Sequence, residues 1–196
     1  FLCALFHHHA GMYPFSAFIA EARRLEVPLR LPCIRRSQRG FEPDPTEGGI
    51  RLPLSRIKGL SERTIDSILE SREREPFSSI EDLRRRTVAT RTELEDLALV
   101  GACDILGRPR PELLWRIRTG GRQRARSGDP GDLLVPDGSA PALGELPPER
   151  KLSEELRLLG AGISFHPMLL HDRRRREAGC TPLKEIPNRR KGDRVR

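Results

Sequence analysis

The residues of this chain best suited to hold an anion are Lys58-Gly59-Leu60-Ser61 together with Arg63. Gly59 tolerates φ > 0, so a turn there can aim backbone N–H groups outward. Ser61 is a good N-cap for a helix whose first N–H groups and positive dipole end point the same way. A phosphate fits such a turn. The surrounding residues Ile50–Ile68 read as two short amphipathic helices joined by the Gly-centred hairpin, with Leu60, Ile65, Ile68 and Leu69 as the apolar stripe between them. This is a helix-hairpin-helix pattern, which grips a nucleic-acid backbone. An ordinary αα-turn with a glycine C-cap has the same letters.

A second unit follows. A helix after Thr90 or Thr92 with Leu94, Leu97 and Ala98 on one face leads to Val100-Gly101-Ala102-Cys103, and another starts near Pro109 or Pro111 and runs through Leu113, Leu114, Trp115 and Ile117. Between the units, Pro76–Leu83 starts a helix with Ser78 or Ser79 as N-cap. Two such units in tandem pack into a compact all-α domain over residues 50–118. Amides around Gly59, Gly101 and Ala102 would then bind phosphates, with Lys58, Arg63, Arg108 and Arg110 adding charge. None of these contacts reads a base, so binding is expected to be independent of sequence. Two hairpins neutralising about four phosphates would give a log–log salt slope of roughly −3 to −4.

These elements must be positioned by a chain of 196 residues, 36% hydrophobic and 33% charged, which suits small domains and linkers. Of its net charge of +8, residues 166–196 hold +6. Arg84–Arg86 and Arg173–Arg176 read as solvated surface. The dominance of Arg over Lys suits bidentate phosphate contacts and equally a GC-rich genome. Cys3, Cys33, Cys103 and Cys180 are too scattered for a zinc set and point to a reducing, cytoplasmic setting. His7-His8-His9 reads as a solvated helix end, because three adjacent histidines cannot face one metal. Phe1–Phe6 is too short to span a membrane and lacks a preceding basic region. The missing initiator Met and the opening inside a helix suggest a piece of a longer polypeptide.

Residues 1–49 form a small mixed α/β piece: helices over roughly Phe1–His8 and Phe15–Leu25, an extended segment at Val27–Pro32 with edge-strand character, and a loop over 35–49. Residues 119–150, rich in Gly, Pro, Ser and Asp, read as a flexible linker. Over 151–196 a helix from Lys151 breaks at Gly160-Ala161-Gly162, and another starts at His166-Pro167 and runs to about Ala178. The tail, with a strand at Arg194-Val195, reads as the entrance to a new, OB-like domain. The fold class is therefore mainly α.

Several blocks in this order resemble the bacterial DNA polymerase III alpha subunit and its error-prone paralogues, from late fingers through the tandem helix-hairpin-helix domain. They are Phe1–Phe6, Gly11–Pro14, Glu21–Leu25, Leu31–Ser37, Ile50–Leu52 with Ile57–Leu60, Pro76–Leu83, Leu97–Gly107 with Arg110, and Leu158–Gly160 with His166–Met168. Two departures stand out: Ser61 at the hairpin's second glycine, which would make the turn less open, and His7-His8-His9 where a more mixed polar stretch is usual; within the Leu31–Ser37 block an Asn is more usual at Arg35. The resemblance implies double-stranded or primed-template DNA as partner, with a sliding clamp and other replisome subunits met through missing parts. Polymerase chemistry needs paired carboxylates holding two Mg²⁺. None is evident here, and Glu93, Glu95 and Asp96 read as solvated helical charge. In the family the carboxylates lie in the palm, so Mg²⁺ belongs to the parent enzyme, a nucleotidyltransferase, and this chain alone is expected to hold no cofactor and to be inactive. A free-standing helix-hairpin-helix accessory protein, or an interaction module burying Trp115 in a partner, would share the hairpins but not the flanking blocks.

Overall fold

The computed structural model describes residues 1–8, 13–120 and 143–181. Phe15, Phe18, Ile19 and Ala22 recur at helical spacing and bury one face of α2 (Phe15–Arg24). Helix α1 (Leu2–His8) brings Phe6 against it, edge-on to Phe15 with centroids 5.7 Å apart and stacked on Phe41 at 5.1 Å. The third histidine and the Gly11-Met12 break lie outside the described residues.

Pro28 and Pro32 hold the next segment extended, giving β1 (Leu29–Arg30), which with β2 (Glu42–Pro43) and β3 (Ile50–Arg51) makes a sheet of order β1-β3-β2. β1 runs parallel to β3 with Leu29 opposite Ile50, and β2 runs antiparallel to it with Pro43 opposite Ile50. β2 falls where the sequence reads as loop. Its pairing is secured by a charge rather than by strand-forming residues: Arg51 Nε donates to Asp44 Oδ2 at 2.5 Å, and Asp44 Oδ1 accepts the N–H groups of Thr46 and Glu47. The Glu47 N–H contributes most to holding the Asp44 carboxyl at about 2, with burial opposing and Arg51 assisting.

The first limb of the hairpin corrects the sequence reading. No α-helix leads directly into Gly59; a 3-10 turn, Leu54–Arg56, closely follows β3. Pro53 bars a longer helix from reaching back, and too few residues separate it from Gly59 to close an α-helical ladder. The remaining helices are α3 (Glu62–Arg74), α4 (Ile80–Arg86), α5 (Arg91–Val100) and α6 (Arg110–Thr119), the first three capped by the side chains of Ser61, Ser79 and Thr90. Ile65, Ile68, Leu83, Leu94, Leu97 and Leu113 fill their core, continuous with the aromatic cluster of α1 and α2.

Helix α7 (Pro148–Leu159) begins three residues before Lys151, because Pro148 is preformed for the first turn. It packs along α5, and Leu158, Leu159, Ala161 and Ile163 enter the same core. A 3-10 turn, Pro167–His171, and α8 (Asp172–Glu177) follow. Most of the expected linker (121–142) and the expected OB-like entrance (182–196) lie outside the described residues. Among the described residues no helix is long and apolar enough to cross a membrane.

Gly49 tests the sheet. Its φ is +84°, and an added Cβ would lie 2.1 Å from the Pro28 oxygen that accepts the Ile50 N–H. Gly49→Ala should cost about 2 kcal/mol or more in urea unfolding, whereas Gly48→Ala, at φ +70° in open space, should cost about 1 kcal/mol.

Candidate nucleic-acid interface

Gly59 sits at φ +87°, and the nearest atom to an added Cβ is Asp96 Oδ2 at 3.6 Å. Backbone conformation, not crowding, demands the glycine. The Leu60 N–H closes the turn on Ile57 O at 3.3 Å, and the Lys58 N–H donates to Leu158 O at 2.9 Å, so the turn rests on the end of α7. The N–H groups of Gly59, Glu62 and Arg63 have no acceptor among the described residues. Lys58, Gly59, Ser61 and Arg63 are exposed and Leu60 is half-buried.

The Ser61 N–H is not free, which corrects the expectation of a fully open helix start. It donates to Glu93 Oε1 at 2.9 Å, and Ser61 Oγ reaches the same oxygen at 2.8 Å. Glu93 Oε2 accepts from Thr90 N–H at 2.8 Å and Thr90 Oγ1 at 2.9 Å. One carboxylate thus caps both α3 and α5. Glu93 is buried, not solvated as its helical position suggested. Burial alone would raise its pKa, but the Ser61 and Thr90 N–H groups and hydroxyls outweigh burial and hold the carboxyl at about 2. The Thr90-x-x-Glu93 capping box was the sequence signal for half of this arrangement. Beside it lies a cleft of about 520 Å³ lined by Gly59, Ser61, Arg63, Thr64, Val88, Thr90, Thr92 and Glu93.

The second glycine turn is built differently, and three expected contacts are corrected. The Gly101 N–H donates to Ala98 O at 3.2 Å and the Ala102 N–H to Leu97 O at 2.9 Å, so both amides are spent closing α5. Ala102 is fully buried, and its carbonyl accepts the Ile34 N–H at 3.0 Å. Arg110, 2% exposed, clamps Asp104 with two donors at 3.0 and 2.7 Å and Leu99 O with a third at 2.9 Å. An added Cβ at Gly101 would lie 2.2 Å from that guanidinium. Gly101, Ala102 and Arg110 therefore form an internal knot and do not join Lys58 and Gly59 on one surface. Arg108 stays exposed, paired with Glu112 at 2.9 Å.

Lys58 and Arg63 differ from most of their neighbours in having no partner. Arg39, Arg86, Arg91, Arg116 and Arg118 sit on carboxylates, and Arg35 and Arg72 on backbone carbonyls. Among the described residues, Arg56, Lys58, Arg63, Arg74, Arg84 and Arg174 have neither, and Arg56 is turned onto the Phe15 ring. Lys58 and Arg63 flank Gly59. No three His, Cys, Asp or Glu side chains come together as a metal-ligand set among the described residues.

Residues 26–113 match the helix-hairpin-helix motif family, so the fold and the glycine turn define a helix-hairpin-helix chain. Curated relatives narrow this. The chain is 32% identical over 95% of its length to an error-prone DNA polymerase of Corynebacterium glutamicum. It is 30% identical over 87% to one of Alkalilimnicola ehrlichii and 29% identical over 86% to one of Cutibacterium acnes. The chain is thus similar to error-prone DNA polymerases over most of its length, and it spans 17–18% of the length of these relatives.

The Glu93 double cap predicts an acid limb. Its folded pKa lies below the ordinary glutamate value, so its stabilisation, on the order of 3 kcal/mol, is complete above about pH 4.5 and lost as pH falls toward 2. Urea midpoints at pH 7, 4 and 3 should show this loss, and Glu93→Gln should flatten it. Arg110→Met should cost about 1–3 kcal/mol, mainly by leaving Leu99 O without its donor, since the exposed Asp104 can turn to water. Duplex affinity of the folded fraction should not change, since this guanidinium never reaches the surface.

Proposed function

We propose that this chain is the duplex-gripping part of a DNA-directed DNA polymerase and holds the phosphate backbone without reading sequence. The observation that carries this reading is the Gly59 turn. Open N–H groups at Gly59, Glu62 and Arg63 and the unpaired cations Lys58 and Arg63 meet there, in a chain similar to error-prone polymerases over nearly its whole length. Amides supply directional donors to phosphate oxygens, the cations supply charge, and neither touches a base edge. Primed-template DNA is the substrate form this suits. The second glycine turn supports the grip from inside, by fixing α5 and hence the Glu93 cap that places Ser61.

The whole enzyme's nucleotidyl transfer, with Mg²⁺ held by paired carboxylates, is assigned to parts outside this chain. Contacts to a sliding clamp and other replisome subunits are assigned there too, and the setting is cytoplasmic. A free-standing accessory protein is not favoured, because the similarity runs through the flanking residues as well as the hairpins.

Lys58→Glu combined with Gly59→Asp should weaken binding of a fluorescent duplex about tenfold or more and flatten the log–log salt slope by about 1–2, with the circular dichroism spectrum unchanged. Unchanged affinity would sink the hairpin assignment. Purified chain given primed template, Mg²⁺ and nucleotides should extend no primer; template-dependent extension would refute the division of labour.

A further inference from the structure

We propose that the arginine run of α8 is a second backbone-holding surface for duplex DNA, carried on the same support as the hairpin. The inference rests on the reading of the chain as a duplex-gripping module and adds a second place of contact to it.

Charge accounting comes first. Between residues 13 and 120 most guanidinium groups are paired with carboxylates or backbone carbonyls, some of them buried and others, such as Arg24, Arg91 and Arg118, at the surface. In α8 four arginines follow one another on one short surface helix. Arg173 and Arg176 have side chains 89% and 76% exposed, and Arg174 is exposed with no carboxylate or carbonyl partner among the described residues. The pairs that do form, Arg173 with Glu177 and Arg175 and Arg176 with Asp172, lie within one helix, three or four residues apart, at the surface. Such pairs are worth a few tenths of a kcal/mol, so an incoming phosphate can take over the arginines at little cost.

Position comes second. The chain between the hairpin and α8 is held, not trailing. Leu158 O accepts the Lys58 N–H, and the Gly160 turn lies beside Lys58 Nζ, 3.9 Å from the Cβ position. Residues 160–165 are gripped from both polarities. Arg23 donates to the carbonyls of Gly162 and Phe165 at 2.8 and 3.1 Å, and the buried Glu155 Oε2 accepts the N–H groups of Ile163 and Ser164 at 2.6 and 2.9 Å. The 3-10 turn that leads into α8 packs on α7 and on α8 itself. Residues 160–165 and the 3-10 turn are therefore held against the body that carries the Gly59 turn, and α8 continues directly from them.

Chemistry selects the partner. From 172 to 177 every side chain is charged, four of the six are Arg, and none is apolar, so a protein partner would find nothing to bury there. Guanidinium forks match phosphate oxygens in pairs, and a duplex offers them at regular spacing along its length. Exposed Met168 and Leu170 belong to the preceding turn.

The test is duplex binding by the full chain over a range of salt, comparing the unaltered chain with R173Q/R174Q/R176Q, with the corresponding triple Lys variant, and with K58E/G59D. The Gln variant should lose affinity about tenfold at low salt and flatten the log–log slope by about 2–3, one unit for each phosphate released, and the Lys variant should recover most of the slope. A Gln variant with unaltered slope while K58E/G59D still loses binding overturns the α8 surface and leaves the hairpin reading intact. The converse pattern supports α8 and overturns the hairpin. Polyglutamate competing at equal salt as well as unlabelled duplex, and losing this with the Gln variant, would assign α8 to an acidic protein and overturn the proposal.

Discussion

One buried carboxylate organises the face of this module proposed to hold the duplex. Glu93 takes four donors from two helix starts, and in doing so fixes the angle between α3 and α5 and the height of the turn before Ser61. Helix starts attract anions because their first N–H groups are unpaired and their dipoles add. Here two starts are satisfied by one internal anion. What remains for an external phosphate is the rim: the amides of Gly59, Glu62 and Arg63, outside the reach of Glu93. The arrangement trades some anion-binding capacity at Ser61 for a turn that does not have to be organised when the ligand arrives, and preorganisation of that kind lowers the entropic cost of binding.

Charged side chains tie down several of the glycine turns. Arg110 closes the Gly101 turn by holding Asp104 and the Leu99 carbonyl. Arg23 and Glu155 hold the loop after Gly160, and Arg51 and Asp44 hold the turn before Gly48. Each turn exposes backbone groups that no helix or strand partner can reach, and a long side chain with several donors or acceptors satisfies them together. This explains how a strongly charged chain folds into one continuous core: much of its charge serves as internal scaffolding for loops. Where both partners are buried, as at Arg51 and Asp44, truncating one costs more than exchanging both, because the other is left buried and alone.

Helix starts were legible in the sequence because their signals are local. Ser79 with its acidic first turn, Thr90 with Glu93 three residues on, and Pro109 before Arg110 each mark an N-terminus within a few letters. The apolar stripes of α2, α5 and α7 follow helical periodicity for the same reason. Long-range facts were hidden. Nothing near Glu93 announces that its second partner is Ser61, thirty-two residues away, and nothing near Arg110 distinguishes a phosphate-seeking guanidinium from one that folds inward onto Asp104. Strand β2 holds no strand-forming pattern of its own and is secured by the Asp44–Arg51 pair across the turn, while four apolar residues before Gly59 mimic a helical period across a proline. The Gly59 turn itself was visible because a positive φ leaves few residue choices.

The bond from Lys58 N–H to Leu158 O joins residues one hundred positions apart in the chain. Protein synthesis is vectorial and proceeds at about 5–20 residues per second, so the turn leaves the ribosome roughly 5–20 seconds before the helix end that supports it exists. For that interval the hairpin is an unfinished structure, its amide open to water and to any polyanion nearby. The support of the turn is therefore completed only after Leu158 has emerged.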